Sequence, residues 1–223
     1  MTGKSNIFGM GYPVVAKVDT YTENASITYE DGMVLGTGVE AVYNAESSMS
    51  EDYGDDEIQD IDSGTNGISG TLELNMISLE KLSYLLGWAE TAAGTGTPKV
   101  YHVTDEASPY VGFGYYKKDV ASGGYIARWI HRCQFTRTSD TARTKQQSVE
   151  WNHPTLDWRG TIVYLSNPAG KGVWNDEAAF ETREDAKAWL NTKAGISAQS
   201  SSTQTGSAQS SSTQTGSAQT GNP

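Results

Sequence analysis

His131 and Cys133 stand two residues apart, at a spacing that could support catalysis. On a β-strand, residues i and i+2 share a face, so this spacing would place an imidazole beside a thiol, as a cysteine nucleophile requires. A packed cysteine beside a partly exposed histidine explains the same two residues without chemistry. The three histidines, His102, His131 and His153, show no metal-ligand spacing with Cys133. These residues therefore predict neither a metal site nor a cofactor.

Acidic residues crowd into the stretch from Glu46 to Asp62, and no basic residue occurs between Lys17 and Lys81. The acidic residues of the stretch are Glu46, Glu51, Asp52, Asp55, Asp56, Glu57, Asp60 and Asp62. Like charges repel one another, which favours an extended, solvated loop. Acid–base catalysis needs two carboxylates held apart on rigid elements, and a crowded loop does not supply them. The chain is therefore not predicted to be an enzyme.

Two ligand-binding interpretations remain open. The segment from Asp62 to Glu73 nearly matches the twelve-residue calcium loop of an EF-hand, but its third position is Gly64, which offers no side-chain oxygen. Glu73 also falls in an alternating strand pattern rather than on a helix. The six tryptophans and twelve tyrosines would suit a sugar-stacking platform, and Trp151 and Trp158, on either side of a proline, are the best candidates.

The composition limits the remaining classes. The chain has 223 residues, a net charge of −11 and a pI near 4.6. Setting aside a polar C-terminal tail leaves roughly 195 residues, enough for one good core or two small ones. A surface that grips nucleic acid would be basic, and no apolar run reaches the ~18 residues of a membrane span. A single cysteine and the lack of a signal-like N-terminus favour synthesis in the cytoplasm.

The clearest elements are predicted within residues 64–88. Apolar and polar residues alternate up to Met76, which is the period of a half-buried strand. From Ser78 the apolar spacing becomes helical. The apolar stripe of this helix consists of Leu79, Leu82, Leu85 and Leu86. Ser78 is predicted to cap the start of the helix and Gly87 to end it.

Other segments rich in Val, Ile, Thr and aromatic residues predict short strands. They are residues 12–18, 21–29, 39–45, 99–103, 109–116, 125–135, 144–157 and 159–165. Asp31-Gly32 and residues 119–124 predict turns. Residues 182–191 predict a second helix, with Thr182 and Asp185 resembling a capping box. The body is therefore expected to be mainly β with two short helices.

The composition changes abruptly at the C-terminal end. The ten-residue sequence Ser-Ala-Gln-Ser-Ser-Ser-Thr-Gln-Thr-Gly occurs at residues 197–206 and again at 207–216. It has no charge and no large hydrophobic residue, so it cannot bury enough surface to offset its chain entropy. Residues 195–223 are therefore expected to be a disordered tail, and residues 1–194 a single folded domain.

A series of short motifs follows a recognisable order along the body. In sequence these are Leu-Glu-Leu at 72–74, Leu-Leu-Gly at 85–87, Ser-Pro-Tyr-Val-Gly-Phe-Gly at 108–114, Tyr-Ile-Ala-Arg-Trp-Ile at 125–130, Thr-Lys-Gln at 144–146 and Pro-Thr-Leu-Asp-Trp-Arg-Gly at 154–160. In this order, residues 7–194 resemble the major tail proteins of long-tailed phages of Gram-positive hosts, the phi13-type family. The long acidic stretch and the repetitive tail depart from that family's pattern.

The resemblance implies a structural tail tube protein with a β-sandwich or open-barrel fold and a flanking α-helix. Six subunits are expected to form a ring, and stacked rings to enclose a tape-measure protein between tail terminator and initiator proteins. Double-stranded DNA would pass through the lumen without specific binding, no membrane is involved, and the protein would reside in the virion. The alternative is a β-sandwich module that binds calcium or carbohydrate.

The charge pattern supports a conduit on separate grounds. Lysines and arginines on a tube wall would bind DNA phosphates, whereas carboxylates repel them. Glu40 and Glu73, on the polar faces of strands, are the candidates to face the lumen. Basic residues concentrate in one stretch, Arg128, Arg132, Arg137, Arg143 and Lys145. We hypothesise that the acidic stretch contacts this basic stretch in a neighbouring ring, since complementary charge steers assembly.

Overall fold

The computed structural model describes residues 7–54, 57–94, 97–137, 153–166 and 170–196, with side chains for all of these except 7, 8 and 52–62. Within these ranges the chain forms thirteen strands and two helices. They are β1 Ile7–Thr22, β2 Ser26–Val34, β3 Gly38–Ala41, β4 Asn44–Gly54, β5 Glu57–Leu74, α1 Leu79–Leu86, β6 Ala89–Thr91, β7 Val100–His102, β8 Val111–Asp119, β9 Tyr125–Thr136, β10 Thr155–Gly160, β11 Val163–Tyr164, β12 Gly172–Val173, β13 Asn175–Phe180 and α2 Arg183–Lys193. The expected tail lies almost wholly outside the described residues.

Nine of these strands form one antiparallel sheet in the order β2-β1-β8-β9-β10-β5-β3, with β13 added on β9 and β4 on β5. The sheet curls so that β3 approaches β1. A Cβ atom at Gly38 would lie only 2.1 Å from the Met10 sulfur, and the Leu35 N–H donates to the Pro13 carbonyl at 2.8 Å. The predicted class, mainly β with two helices in a sandwich-like or open-barrel sheet, is confirmed.

The two faces of the sheet carry separate cores. On β1, Val15 packs into the inner core, whose largest side chains include Phe113, Phe135 and Trp158. Val14 and Ala16 point to the opposite face, where they join Ala127, Trp129, Ala186, Leu190 and Ala194 in an outer core. Because side chains of a strand alternate between faces, a single strand serves both cores. Helix α1 contributes to the inner core, and α2 covers the outer face.

Both helix caps follow the sequence prediction. The Ser78 hydroxyl accepts a hydrogen bond from the Lys81 N–H, and Gly87 takes the left-handed conformation at φ 70° that ends α1. The Thr182 hydroxyl accepts from the Asp185 N–H at 3.2 Å and starts α2. The predicted stripe of α1 is wrong at Leu79, which is 55% exposed because the first turn extends past the core.

The predicted turn at Asp31-Gly32 is wrong. These residues lie within β2, where the pairing with β1 shifts register between Val15 and Lys17. Asp31 adopts φ 51°, so the pair forms a bulge in a continuing strand. The chain instead reverses at residues 23–25, where Asn24 adopts φ 58°. Asp and Asn both tolerate the left-handed conformation, so local sequence did not distinguish the bulge from the turn.

Helix α2 is fastened to the sheet by Asp176 of β13. The Lys193 ammonium donates to one oxygen of this carboxylate at 2.7 Å, and His131 Nε2 lies 3.1 Å from the other oxygen. The His131 contact, followed by Lys193, holds the pKa of Asp176 well below its ordinary value near 3.8. The carboxylate therefore stabilises the fold above that value, and this contribution is lost as the pH falls further.

We predict that Asp176→Asn lowers the free energy of unfolding at pH 7 by about 1–2 kcal/mol, the low end for charged hydrogen bonds because the carboxylate is partly exposed. The difference from the parent chain should shrink steadily below pH 4, where the Asp176 carboxylate of the unfolded parent chain takes up a proton before that of the folded chain does. Urea unfolding followed by tryptophan fluorescence at several pH values measures both quantities. A difference that does not change with pH would contradict the assigned role.

A second prediction concerns Gly70, where β5 passes under the segment between β3 and β4. A Cβ atom there would lie 1.9 Å from the Val42 carbonyl oxygen and 2.7 Å from the Trp158 ring. Gly70→Ala is therefore expected to lower the free energy of unfolding by about 3 kcal/mol, the upper range for overpacking. Gly64→Ala is the matched control, because its Cβ would meet nothing closer than 4.0 Å. Equal effects of the two substitutions would refute this packing argument.

Candidate functional site

The most unusual feature of the fold is a two-stranded arm made of β4 and residues 57–67 of β5, called here the acidic arm. Its pairing extends from Asn44 opposite Ser69 to Gly54 opposite Glu57, with register shifts between Glu46 and Ser47 and between Asp52 and Tyr53. At about 3.3 Å per residue, the eleven residues of β4 span roughly 35 Å. Among the described residues, β4 pairs only with β5, and β5 pairs with β10 and β3 only from Ile68 onward. Both long edges of the arm therefore lack a strand partner among the described residues.

The predicted solvated loop at Glu46–Asp62 is thus wrong. The sequence contains β-forming residues among the acidic ones, and a hairpin pairs the backbone groups that a loop would leave to water. Charge repulsion favoured an extended chain but did not prevent two extended segments from pairing. The calcium interpretation fits poorly too, because Asp62 to Glu73 is continuous strand rather than a loop. Within the described residues, no group of three or more His, Cys, Asp or Glu side chains is arranged to hold a metal.

A cleft of about 640 Å³ opens beside the base of the arm. It lies between β1, β3, β8 and β9. Its lining consists of Gly9, Met10, Val39, Glu40, Ala41, Tyr43, Tyr115, Lys117 and Arg128. The cleft is therefore lined by apolar side chains, among them Met10 and Val39, together with two tyrosines, two cations and one carboxylate. This volume is within the usual range of binding pockets.

Arg128 of β9 organises one wall of the cleft. Its Nε donates to Glu177 Oε1 at 2.6 Å and its Nη1 donates to the Tyr115 hydroxyl at 3.1 Å. The guanidinium also lies 3.8 Å from the centre of the Tyr43 ring. Burial acts to lower the pKa of Arg128, but Tyr115 and Glu177 outweigh it and raise that pKa above its ordinary value. Arg128 is therefore a fixed charge that is already bound within its own chain.

Tyr43 links the cleft to the arm. Its hydroxyl donates to Asn175 Oδ1 at 2.9 Å, and its ring lies 5.9 Å from the ring of Trp158. Tyr43 immediately precedes β4, so these contacts hold the base of the arm against the body of the sheet. Burial is the main cause that raises the pKa of Tyr43, and its hydroxyl remains a neutral donor.

The structure does not gather the predicted basic stretch into one surface. Arg132 stacks 3.7 Å from the centre of the Tyr110 ring and 5.4 Å from that of Tyr21. Arg128 instead contacts Tyr43 and Tyr115, and Arg137 has contacts of its own. The two remaining members, Arg143 and Lys145, lie outside the described residues, as do Asp55 and Asp56 of the acidic stretch.

The acidic candidates are distributed over two places. Glu40 and Glu73 are register partners on β3 and β5, an arrangement of like charges that is unfavourable unless something offsets it. Glu73 meets His153 Nδ1 at 2.7 Å, while Glu40 is exposed and lines the cleft. At the base of the arm, Glu46 accepts a hydrogen bond from Arg159 at 3.1 Å.

The structure does not place His131 and Cys133 together for catalysis. Strand β9 has one extra residue relative to β8 between Ile130 and Cys133. This bulge turns His131 and Cys133 to opposite faces of the sheet, whereas the sequence predicted a shared face. Cys133 lies in the inner core, whereas His131 contacts Tyr29 and Asp176. Burial raises the pKa of the Cys133 thiol, which makes it a poor nucleophile.

The proposed sugar platform is not available at Trp158. This side chain is 2% exposed in the inner core, because the strand that carries it is covered on that face. The other half of the platform, Trp151, lies outside the described residues.

The sequence analysis did not identify Lys117 and Tyr115, which lie two residues apart and share one face of β8. Their spacing was visible in the sequence, but the strand that faces them across the cleft was not.

No protein-family model and no curated protein matches this sequence. Among the described residues, no helix is both long and apolar enough to cross a membrane.

A third prediction compares two arginines that pair with glutamates. Arg128→Gln should lower the free energy of unfolding by about 2 kcal/mol, because it breaks hydrogen bonds to Glu177 and Tyr115 and a stacking contact made by a largely buried guanidinium. Arg159→Gln removes the same charge from an exposed pair with Glu46 and should change it by less than about 0.5 kcal/mol. The side chains are 12% and 73% exposed, respectively. Urea unfolding would contradict the assignment if the two effects were equal.

Proposed function

We propose that this chain is a structural subunit that assembles with copies of itself into stacked rings, forming the tail tube of a phage. The observation that carries the proposal is the acidic arm, whose two long edges have no strand partner among the described residues. An isolated two-stranded hairpin is marginally stable in water, and an unpaired strand edge is a template for association. A subunit that carries such an arm gains stability when another molecule covers it.

The geometry favours contacts between different surfaces of neighbouring copies. The arm extends away from the body, so it meets a surface unlike itself in the next copy. Such heterologous contacts generate rings when the rotation closes and stacks when it does not. A direct contact between two arms would bring their carboxylates together and is disfavoured. The order of sequence motifs shared with phage tail proteins, and the curled sheet with α2 on its outer face, agree with this role.

The charge of the chain suits a conduit for DNA. A net charge of −11 favours an acidic wall in an assembled tube, which would repel phosphates and allow DNA to pass without being held. Glu73 remains a proposed lumen-facing residue, whereas Glu40 lines the cleft. The tape-measure, terminator and initiator proteins are the expected partners, and the virion tail is the expected location. No catalytic step is part of this role.

The second candidate function is ligand binding by a monomeric β-sandwich, and the cleft is the observation that favours it. The tyrosines of the cleft are poorly placed to stack on a sugar, because Arg128 already covers one face of Tyr43. A ligand-binding module predicts a monomer whose melting temperature rises with calcium or sugar. The tube proposal predicts oligomers that form with concentration and need no ligand.

Negative-stain electron microscopy of the purified chain across protein concentration tests the proposal. We expect rings with a central hole, or tubes, and a loss of stacking at high salt because complementary charges guide the contact. The matched variant replaces residues 48–64 with Asn-Gly, so that the register partners Ser47 and Thr65 are joined by a two-residue turn. This variant should fold but not form tubes. A monomer at every concentration, or tubes that form equally well without the arm, would contradict the proposal.

A further inference from the structure

Lys117 is a half-buried cation that lines the cleft. Within the described part of the chain, no carboxylate forms an ion pair with it, although ion pairs are present at Lys99, Arg128 and Lys193. The side chain is half-buried on β8, and burial, followed by the nearby Arg128, lowers its pKa. An anion placed in the cleft would relieve this cost by pairing with the ammonium.

We propose that the cleft is the acceptor for the acidic arm of a second copy of this chain, with Lys117 as the residue that pairs with an arm carboxylate. This inference rests on the proposed function and assigns the surface that receives the arm. It also replaces the basic stretch predicted from the sequence, because Arg132 lies elsewhere and Arg128 is already bound within its own chain.

The arm carries the groups that such a cleft would accept. Met49 is 69% exposed, and Glu51 lies two residues further along the same strand, so both side chains are on one face of β4. No register shift occurs between Ser47 and Asp52. This face therefore presents Met49 beside Glu51, a carboxylate that also has a contact within its own chain, and the cleft places Met10 opposite Lys117 on the neighbouring strand.

The occupant must come from another copy. Tyr43, at the base of the arm, already lines the cleft, and the paired strands lead away from it for roughly 35 Å. Among the described residues, β4 pairs only with β5 and not with the strands that line the cleft. The contact is therefore between different surfaces of two copies, as stacking requires.

Zero-length carbodiimide cross-linking of the full chain tests the contact directly, since it forms an amide between a lysine and a carboxylate that touch. An equimolar mixture of ¹⁴N- and ¹⁵N-labelled protein distinguishes links between copies from links within one. Mass spectrometry should find Lys117 joined to an arm peptide in mixed-isotope form. Assembled particles in which the arm joins only other lysines would overturn this inference and leave the tube proposal standing. An absence of both particles and inter-copy links would count against the tube proposal itself.

Substitutions with opposite expected signs provide the second measurement. Lys117→Gln should raise the concentration needed for assembly about tenfold, whereas Glu40→Gln removes the opposing carboxylate of the cleft and should lower it. Lys118→Gln is the matched control, because this neighbour is exposed on the other face of β8 and should have little effect. Sedimentation velocity measures the threshold, and thermal melting verifies that each variant folds.

Charge reversal completes the test. Lys117→Glu alone and Glu51→Lys alone should each impair assembly, and a chain carrying both substitutions should recover much of it, because the pair is restored with its signs exchanged. Equal assembly thresholds for Lys117→Gln and Lys118→Gln, with no recovery in the double variant, would refute the proposed contact while the parent chain still assembles.

Discussion

The structure depends on the three-sided pairing of β9. Its first half pairs with β8 and β13, and its second half pairs with β8 and β10. Ile130 and Phe135 contribute to the inner core, and Ala127 and Trp129 contribute to the outer core. One strand therefore supplies hydrogen bonds to three neighbours and side chains to both faces. Arg128 projects from β9 into the cleft, so this strand fixes the position of one wall of the cleft.

The long edges of the arm have no strand partner among the described residues. The body buries large side chains on both faces of a curled sheet, while β4 and the distal part of β5 extend beyond it with exposed residues from Asn44 to Glu51. A domain with these two cores has no internal need for a hairpin of this length. The acidity of the arm disfavours strand pairing between two arms, and the contact proposed above uses a cationic surface instead.

The cleft and the arm meet at Tyr43, which lines the cleft and immediately precedes β4. Tyr43 lines the cleft, stacks on Arg128, donates to Asn175 and begins the arm. The direction of the arm is therefore set by the same contacts that shape the cleft. In the proposed stack of subunits, the position of one surface would then fix the position of the other.

The sequence by itself determined the features that depend on local hydrogen bonds and periodicity. These are the two helices with their caps at Ser78, Gly87 and Thr182, the mainly β class and the hairpin between β8 and β9. Only the tertiary structure decided the bulge that separates His131 from Cys133, the pairing of the acidic stretch into an arm and the meeting of Lys117, Tyr43 and Arg128. The physical reason is that caps and turns involve residues a few positions apart. Register, bulges and clefts depend on which distant strand lies alongside, and that choice is made by the packing of the whole sheet.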